Sequence, residues 1–562
     1  MFMSSAVESL TLDSGPIIPN VPLVSFLEQL QETALKTFGS KDFDPKLYVD
    51  LSLKFDLSDT QSAFDKLSQN GSVSAQDLNG FIQRYLNTAE ADLETVSPVD
   101  FLANPDGFLP MVENKQVMEW GLKIHGLWKH LSRKVSDDVL RKPQLHTLLP
   151  LPGHLVIPGS RFREIYYWDS YWVIRGLLAS KMYETAKGIV MNLISLLETY
   201  GHVLNGTRVY YTNRSQPPLL SSMVYDVYIR TNDKEFLKKA LPALIKEHNF
   251  WNSGIHVVTV EDEKGCSHTL SRYYAMWNEP RPESSTIDRE TASKLSSVSE
   301  KRLLYREIAS TAETGWDFSS RWMRDESDLT TLATTSILPV DLNAFILKME
   351  LDISVLAKEN GDRETSLQYL KASQVRKLAM NSIFWNEEKG QWFDYWLDGK
   401  SSLQGYKWKS SQQNMKAFAS NFIPLWIEPF HSDAAMAAKV IKSLKDSGLV
   451  CASGIATTLT NSGQQWDFPN GWAPLQHMIV EGLLKMGTKE AMSLAQDIAH
   501  GWLKTNYVTF KNTGVMHEKY NVETCGESGG GGEYNPQTGF GWSNGVVLSF
   551  LEELGWPKDL KI

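Results

Sequence analysis

Two carboxylates stand among residues that suit acid–base chemistry. In AETGWDFSSRW, residues 312–322, Asp317 lies between Trp316 and Phe318, with Arg321 downstream. An ionised carboxylate is costly to bury, so an acid in such company is either paired with a cation or kept protonated by a raised pKa. Helix capping accounts for the same residues, with Asp317 ahead of a helix starting at Phe318 and Ser319 and Ser320 in its first turn. In MHEKYNV, Glu518 sits between His517 and Lys519, ahead of a glycine run and Glu533. A solvated Glu–Lys pair explains that segment alone, whereas its place beside the glycines suits a cleft that closes. His517 has no second His or carboxylate at ligand spacing and reads as a structural donor.

Two further segments share an unusual mixture. PGSRFREIYYWDSYW, residues 158–172, crowds Arg161, Arg163, Glu164, Trp168 and Asp169 among rings, and QQWDFPNGWAPLQ, residues 464–476, repeats it with Gln465, Trp466, Asp467 and Trp472. A core helix would carry fewer charges and a solvated loop fewer aromatics. The mixture suits a sugar-binding wall, where rings stack on C–H faces and charged groups bind hydroxyls. An ion-paired helix start and a rigid proline turn are the structural alternatives. RPESSTIDRETASKLSS, residues 281–297, is polar enough to predict a lid or surface insertion. In GESGGGGEYNPQTGFGW, residues 526–542, consecutive glycines offer a hinge or a close backbone approach to ligand. No Gly-Lys-Ser/Thr follows them, which excludes a phosphate-cradling loop.

The elements that must position these loops are helices. In TAKGIVMNLISLLETYG, Ile189, Leu193, Leu196 and Leu197 share one helical face and Gly201 stops it. Pro217 and Pro218 open the next run, LLSSMVYDVYIR, and Pro242 predicts an interruption in KEFLKKALPALIKEHNFW. The rhythm resumes to the C-terminus, while strand-like alternation is confined to pieces such as HVVTVED and QWFDYWL. The reading is an all-α chain of antiparallel helix pairs in one closed array, residues 116–562, with residues 1–115 as an N-terminal helical extension packed on it.

Bulk composition narrows the function classes. The 562 residues are 42% hydrophobic and 22% charged, as in globular proteins. The net charge of -10 is broken by no basic cluster, which argues against nucleic acid as a partner. Cys266, Cys451 and Cys525 match no metal-ligand spacing and allow at most one disulfide. The N-terminal residues show neither a signal peptide nor a membrane anchor, and no stretch approaches the roughly twenty apolar residues of a spanning helix. Sequons at Asn70, Asn205 and Asn213 do not by themselves establish secretion.

Taken together, PGSRFREIYYWDSYW and QWDFPNGWAP resemble the two signature motifs of the inverting trehalases, and AETGWDFSSRW, HEKYNV and GGGGEY resemble their catalytic segments. The resemblance runs from about residue 115 to the C-terminus and is especially close to the plant members. It implies an (α/α)6 toroid whose loops line a pocket at one end, acting on trehalose without metal or organic cofactor. Asp317 resembles the family's general acid and Glu518 its general base. Arg161, Phe162, Trp168, Asp169, Asn205, Arg214, Gln216, Arg281, Glu283 and Glu533 occupy positions resembling its sugar-binding residues. Ser160 departs from the signature's second glycine. A toroid glycosidase for another α-glucoside and a catalytically silent sugar sensor are the competing readings. A monomer or weak oligomer is expected. The plant resemblance implies an extracellular or plasma-membrane location, and the absence of an anchor a cytoplasmic one.

Overall fold

Helices that are apolar on every side must be surrounded. Helix Asp169–Ala179 buries ten of its eleven residues and helix Gly541–Glu553 eleven of its thirteen, which places both in an inner layer. The computed structural model, which describes residues 21–68, 72–159, 161–397 and 405–557, shows that layer closing on itself. Helices Asp169–Ala179, Leu220–Thr231 and Val340–Glu359, the 3₁₀ segment Ala419–Trp426, and helices Ala473–Met486 and Gly541–Glu553 each pack on the next, and the last returns to the first. Helices Lys115–Leu131, Tyr183–Tyr200, Lys234–Trp251, Arg363–Ile383, Ala434–Asp446 and Lys489–Thr513 lie outside them. This is the (α/α)6 toroid expected from the sequence, with one inner place taken by a 3₁₀ segment containing Pro424, which has no N–H to donate.

Small residues set the tightest joint in the ring. A side chain on Gly545 would place its Cβ 1.9 Å from the Trp172 carbonyl oxygen, so helices Asp169–Ala179 and Gly541–Glu553 approach to a distance only glycine allows. The outer helix Tyr183–Tyr200 buries Ile189, Leu193, Leu196 and Leu197 and ends at Gly201 with φ 87°, as its periodicity predicts. Pro242 does not interrupt helix Lys234–Trp251. The buried face carrying Leu237, Leu241 and Leu244 continues through it, so tertiary packing outweighs the local cost. Val257–Glu261 and Ser267–Ser271 form an antiparallel hairpin, and Gln391–Trp392 and Tyr395–Trp396 are two-residue strands.

Residues 281–297 are not a lid. Arg281 to Ser284 are buried, and helix Ser285–Ala292 turns Asp288 inward, where it bonds the Arg281 guanidinium and backbone N–H. Residues 281–288 are polar because their polar groups find partners inside the fold, whereas residues 289–297 are mostly exposed, as a surface insertion would be. The N-terminal helix Val21–Phe38 packs Leu23, Phe26, Leu27 and Leu30 toward the protein and rests on helix Ser285–Ala292. Just after it, Lys46 pairs with Asp50 at 2.7 Å and with Glu164 at 2.9 Å, while Arg208 bonds Glu164 at 2.5 Å. This buried cluster fastens the N-terminal segment to the ring.

Asn205 and Asn213 are buried, so neither sequon presents its amide for glycosylation in the folded chain; Asn70, Ser160 and the first twenty residues lie outside the described residues. The three cysteines are free thiols. Among the described residues no helix is long and apolar enough to cross a membrane.

Candidate active site

The segments leading into the N-terminal ends of the inner helices supply the pocket. Arg161 to Trp168 precede helix Asp169–Ala179, Asn205 to Gln216 precede Leu220–Thr231, Gln465 to Trp472 precede Ala473–Met486, and Glu518 to Phe540 precede Gly541–Glu553. They meet in one pocket, lined by aromatic rings and several charged groups. All twelve site residues expected from the sequence line it: Asp317, Glu518, Arg161, Phe162, Trp168, Asp169, Asn205, Arg214, Gln216, Arg281, Glu283 and Glu533.

Asp317 reaches the pocket through a turn that follows helix Val298–Glu313. Gly315 adopts φ 75° there, and a Cβ on it would lie 2.7 Å from the Trp168 ring, so the turn needs glycine on both counts. No α-helix begins at Phe318. Ser319 caps the short 3₁₀ turn Ser320–Trp322, and Asp467 accepts hydrogen bonds from the Ser319 and Ser320 hydroxyls and the Ser320 N–H. Asp467 therefore braces the loop behind Asp317 rather than facing the pocket. Arg321 likewise turns away: it forks onto Asp341 and Asp394 and lies over the Trp316 ring.

The cation that Asp317 does meet is Arg281, whose Nη1 stands 3.9 Å from the carboxylate. About 35% of the Asp317 side-chain surface is open, and that opening faces the pocket. Burial raises its pKa to about 7, because Arg281 only partly offsets the loss of water and Glu533 repels the charge. Arg281 has its guanidinium shared among Asp288 at 2.7 Å, Glu533 at 3.1 Å and the face of Phe318. Its attraction for Asp317 is diluted accordingly.

Glu518 is treated differently. Its Oε1 accepts a hydrogen bond from the Tyr534 hydroxyl at 2.7 Å, its Oε2 faces the Gln537 N–H at 3.4 Å, and the Lys519 ammonium lies 3.7 Å away. Lys519 is fully buried, over the rings of Trp472 and Tyr534, and burial lowers its pKa in spite of Glu518. Its Nζ also bonds the side-chain carbonyl oxygen of Gln465 at 2.7 Å, and the Gln465 amide donates to the Asp317 backbone carbonyl at 2.7 Å. One side chain thus ties the Glu518 segment to the Asp317 loop.

The remaining wall is sugar-like in its demands. Trp466 stacks on Trp472 with ring centroids 4.0 Å apart, and Trp168 leans on Trp466 at 5.6 Å. Arg214 pairs with Glu283 and covers Tyr211, while Gln216 holds the Trp168 N–H at 3.0 Å. The Asn205 amide donates to the Ser215 carbonyl at 3.0 Å. Among the described residues Asp169 has no cation against it; burial puts its pKa well above the ordinary value, and Glu518 and Asp317 push the same way. The glycine loop that leads into Glu533 is pinned in place: Asn470 bonds both the N–H and the carbonyl of Gly530, and the Gly529 N–H bonds the Lys519 carbonyl. Tyr534 and Asp288 are the functional neighbours that motif reading missed. Tyr534 sits in the quoted glycine segment but has no local mark of its partner, and Asp288 lies in the segment expected to be a lid.

Comparison with known proteins agrees with this architecture. A trehalase family model matches residues 40–555. The chain is 56% identical over 98% of its length to a trehalase from Arabidopsis thaliana, covering 89% of that protein. It is 58% identical over 96% of its length to a probable trehalase from Oryza sativa subsp. japonica, covering 97% of it. Among solved structures, the neutral trehalase Nth1 from Saccharomyces cerevisiae matches with a TM-score of 0.56 and 26% identity, over 72% of this chain and 77% of that one.

Proposed function

The chain belongs to the trehalase family and hydrolyses trehalose, and we propose that it does so by a single inverting displacement, with Asp317 as general acid and Glu518 as general base. The observation that carries this assignment is the opposite setting of two carboxyls in one pocket. Asp317, with a pKa of about 7, retains a proton to give at neutral pH. Glu518 receives hydrogen bonds and lies beside an ammonium, a setting that suits a carboxylate ready to accept one.

Trehalose joins two glucose units through both anomeric carbons. Asp317 donates its proton to the bridging oxygen as the C1–O bond breaks, and Arg281 steadies the carboxylate left behind. A water on the opposite face of the ring gives a proton to Glu518 as its oxygen bonds C1. One glucose leaves with its configuration retained and the other is formed with its configuration inverted. Such a pair needs room for the water, roughly 6.5–9.5 Å between carboxyls against about 5 Å for a retaining pair. Arg161, Arg214 and Arg281 fix the hydroxyls, the tryptophans stack on the rings, and Glu533 and Tyr534 at the end of the glycine loop help to exclude bulk water. Every proposed site residue lies on this one chain, so no second copy is needed to complete the pocket, which supports a functional monomer or weak oligomer.

The two roles separate on a substrate whose leaving group needs no proton. With α-glucosyl fluoride, Asp317→Ala is expected to keep most of its turnover while losing that on trehalose, whereas Glu518→Ala loses both. Equal losses of both substrates in Asp317→Ala would overturn the assignment of the acid.

A further inference from the structure

The N-terminal segment touches Arg161, one of the proposed sugar-binding arginines, directly. Asp44 takes the Arg161 guanidinium in a two-point fork, Nε to Oδ2 at 2.6 Å and Nη2 to Oδ1 at 2.7 Å. That fork occupies one edge of the guanidinium and leaves Nη1 for the pocket, which Arg161 lines. The same guanidinium lies 4.5 Å from the centre of the Tyr534 ring, and Tyr534 is the residue that bonds Glu518. Burial alone would raise the Asp44 pKa; Arg161 reverses the shift and holds it below the ordinary value, so the carboxylate stays charged.

A second tie sits one helix earlier. Gln31 is fully buried, and its amide nitrogen donates to the carbonyls of Pro45 and Pro282, each at 3.0 Å. Its carbonyl oxygen accepts from the Thr286 N–H at 3.1 Å. Pro45 follows Asp44, and Pro282 stands between Arg281 and Glu283. One side chain therefore cross-links the loop that holds Arg161 to the loop that presents Arg281.

We infer that residues 31–50 are a brace of the substrate site, with Asp44 a positioning residue that acts through Arg161. The inference rests on the reading of Arg161 as a sugar-binding residue and adds what aims it. An arginine has several rotatable bonds, and a neutral partner at position 44 would hold neither the fork nor the charge. Substrate binding then depends on a segment distant in sequence from both proposed catalytic carboxyls.

The test is a double-mutant cycle of Asp44→Asn and Arg161→Gln, with steady-state kinetics on trehalose and circular dichroism as the control for folding. Arg161→Gln is expected to raise KM by about tenfold or more, Asp44→Asn to raise KM by roughly fivefold to tenfold with a smaller change in kcat, and the double variant to match Arg161→Gln alone. If Asp44→Asn does not fold, Asp44→Glu, which keeps the charge but displaces the fork, replaces it in the same cycle. A raised KM in Arg161→Gln with no change in the Asp44 variant overturns the brace, as do two effects that multiply in the double variant. An unchanged KM in Arg161→Gln overturns the sugar-binding reading of Arg161 and the brace with it.

Discussion

Glu164 and Asp169 lie in one motif, PGSRFREIYYWDSYW, and both are buried, yet their carboxyls meet opposite surroundings. Glu164 is enclosed by Lys46 and Arg208; burial raises its pKa, and the two cations outweigh burial and hold it far below the ordinary carboxylate range. Asp169 has no such partner and is raised well above that range. Glu164 belongs to the cluster that fastens the N-terminal segment, Asp169 to the pocket that also holds Asp317. Buried charge is fully compensated at the joint around Glu164, whereas in the pocket Asp169 has no counter-charge against it and Asp317 only a distant one.

Breaking the pocket side of that contrast should give the largest effect. Asp317→Asn is expected to lower kcat on trehalose by roughly 10²–10⁴-fold with the fold intact, measured by glucose release and circular dichroism. The same variant sharpens the contrast through pH. The folded chain holds the Asp317 proton up to about pH 7, whereas the ordinary value is 3.8, so the group favours folding fully below pH 4 and that contribution is lost as pH rises through 7. Activity should fall over the same upper range as the acid ionises. Asp317→Asn, which does not titrate, should gain stability relative to the wild type above pH 7 in denaturant unfolding.

Breaking the joint should act on stability instead. Glu164→Gln leaves Lys46 and Arg208 short of their counter-charge and should cost about 3–5 kcal/mol in urea unfolding. A smaller effect is expected where pocket and support meet: Lys519→Met, which removes a buried ammonium bonded to Gln465 and near Glu518, should lower kcat by roughly 10–100-fold, the scale of a charge-assisted hydrogen bond. The smallest lies far from both regions. Thr488→Ala, which removes the N-cap of helix Lys489–Thr513, should cost about 1 kcal/mol of stability and leave kcat unchanged.

Much of this molecule is legible in its sequence because its signals are local. The periodicity of TAKGIVMNLISLLETYG marks an outer helix, and the motifs that mix rings with charges do meet in one pocket. Long-range pairing is what the sequence hides. Nothing around Asp44 or Gln31 points to residues more than a hundred positions away. The polarity of residues 281–288 suggests solvent only until Asp288 is seen to bond Arg281, and Arg321, within the Asp317 motif, directs its charge to Asp341 and Asp394. Pro242 is a helix breaker by propensity and is overruled by the buried face around it.

The central claim is that Asp317 and Glu518 act from opposite faces of one sugar ring. It is tested most directly by proton NMR of the anomeric signals in the first moments of trehalose hydrolysis, before mutarotation mixes them. The account predicts α- and β-glucose in equal initial amounts; α-glucose alone would mean retention and would contradict it.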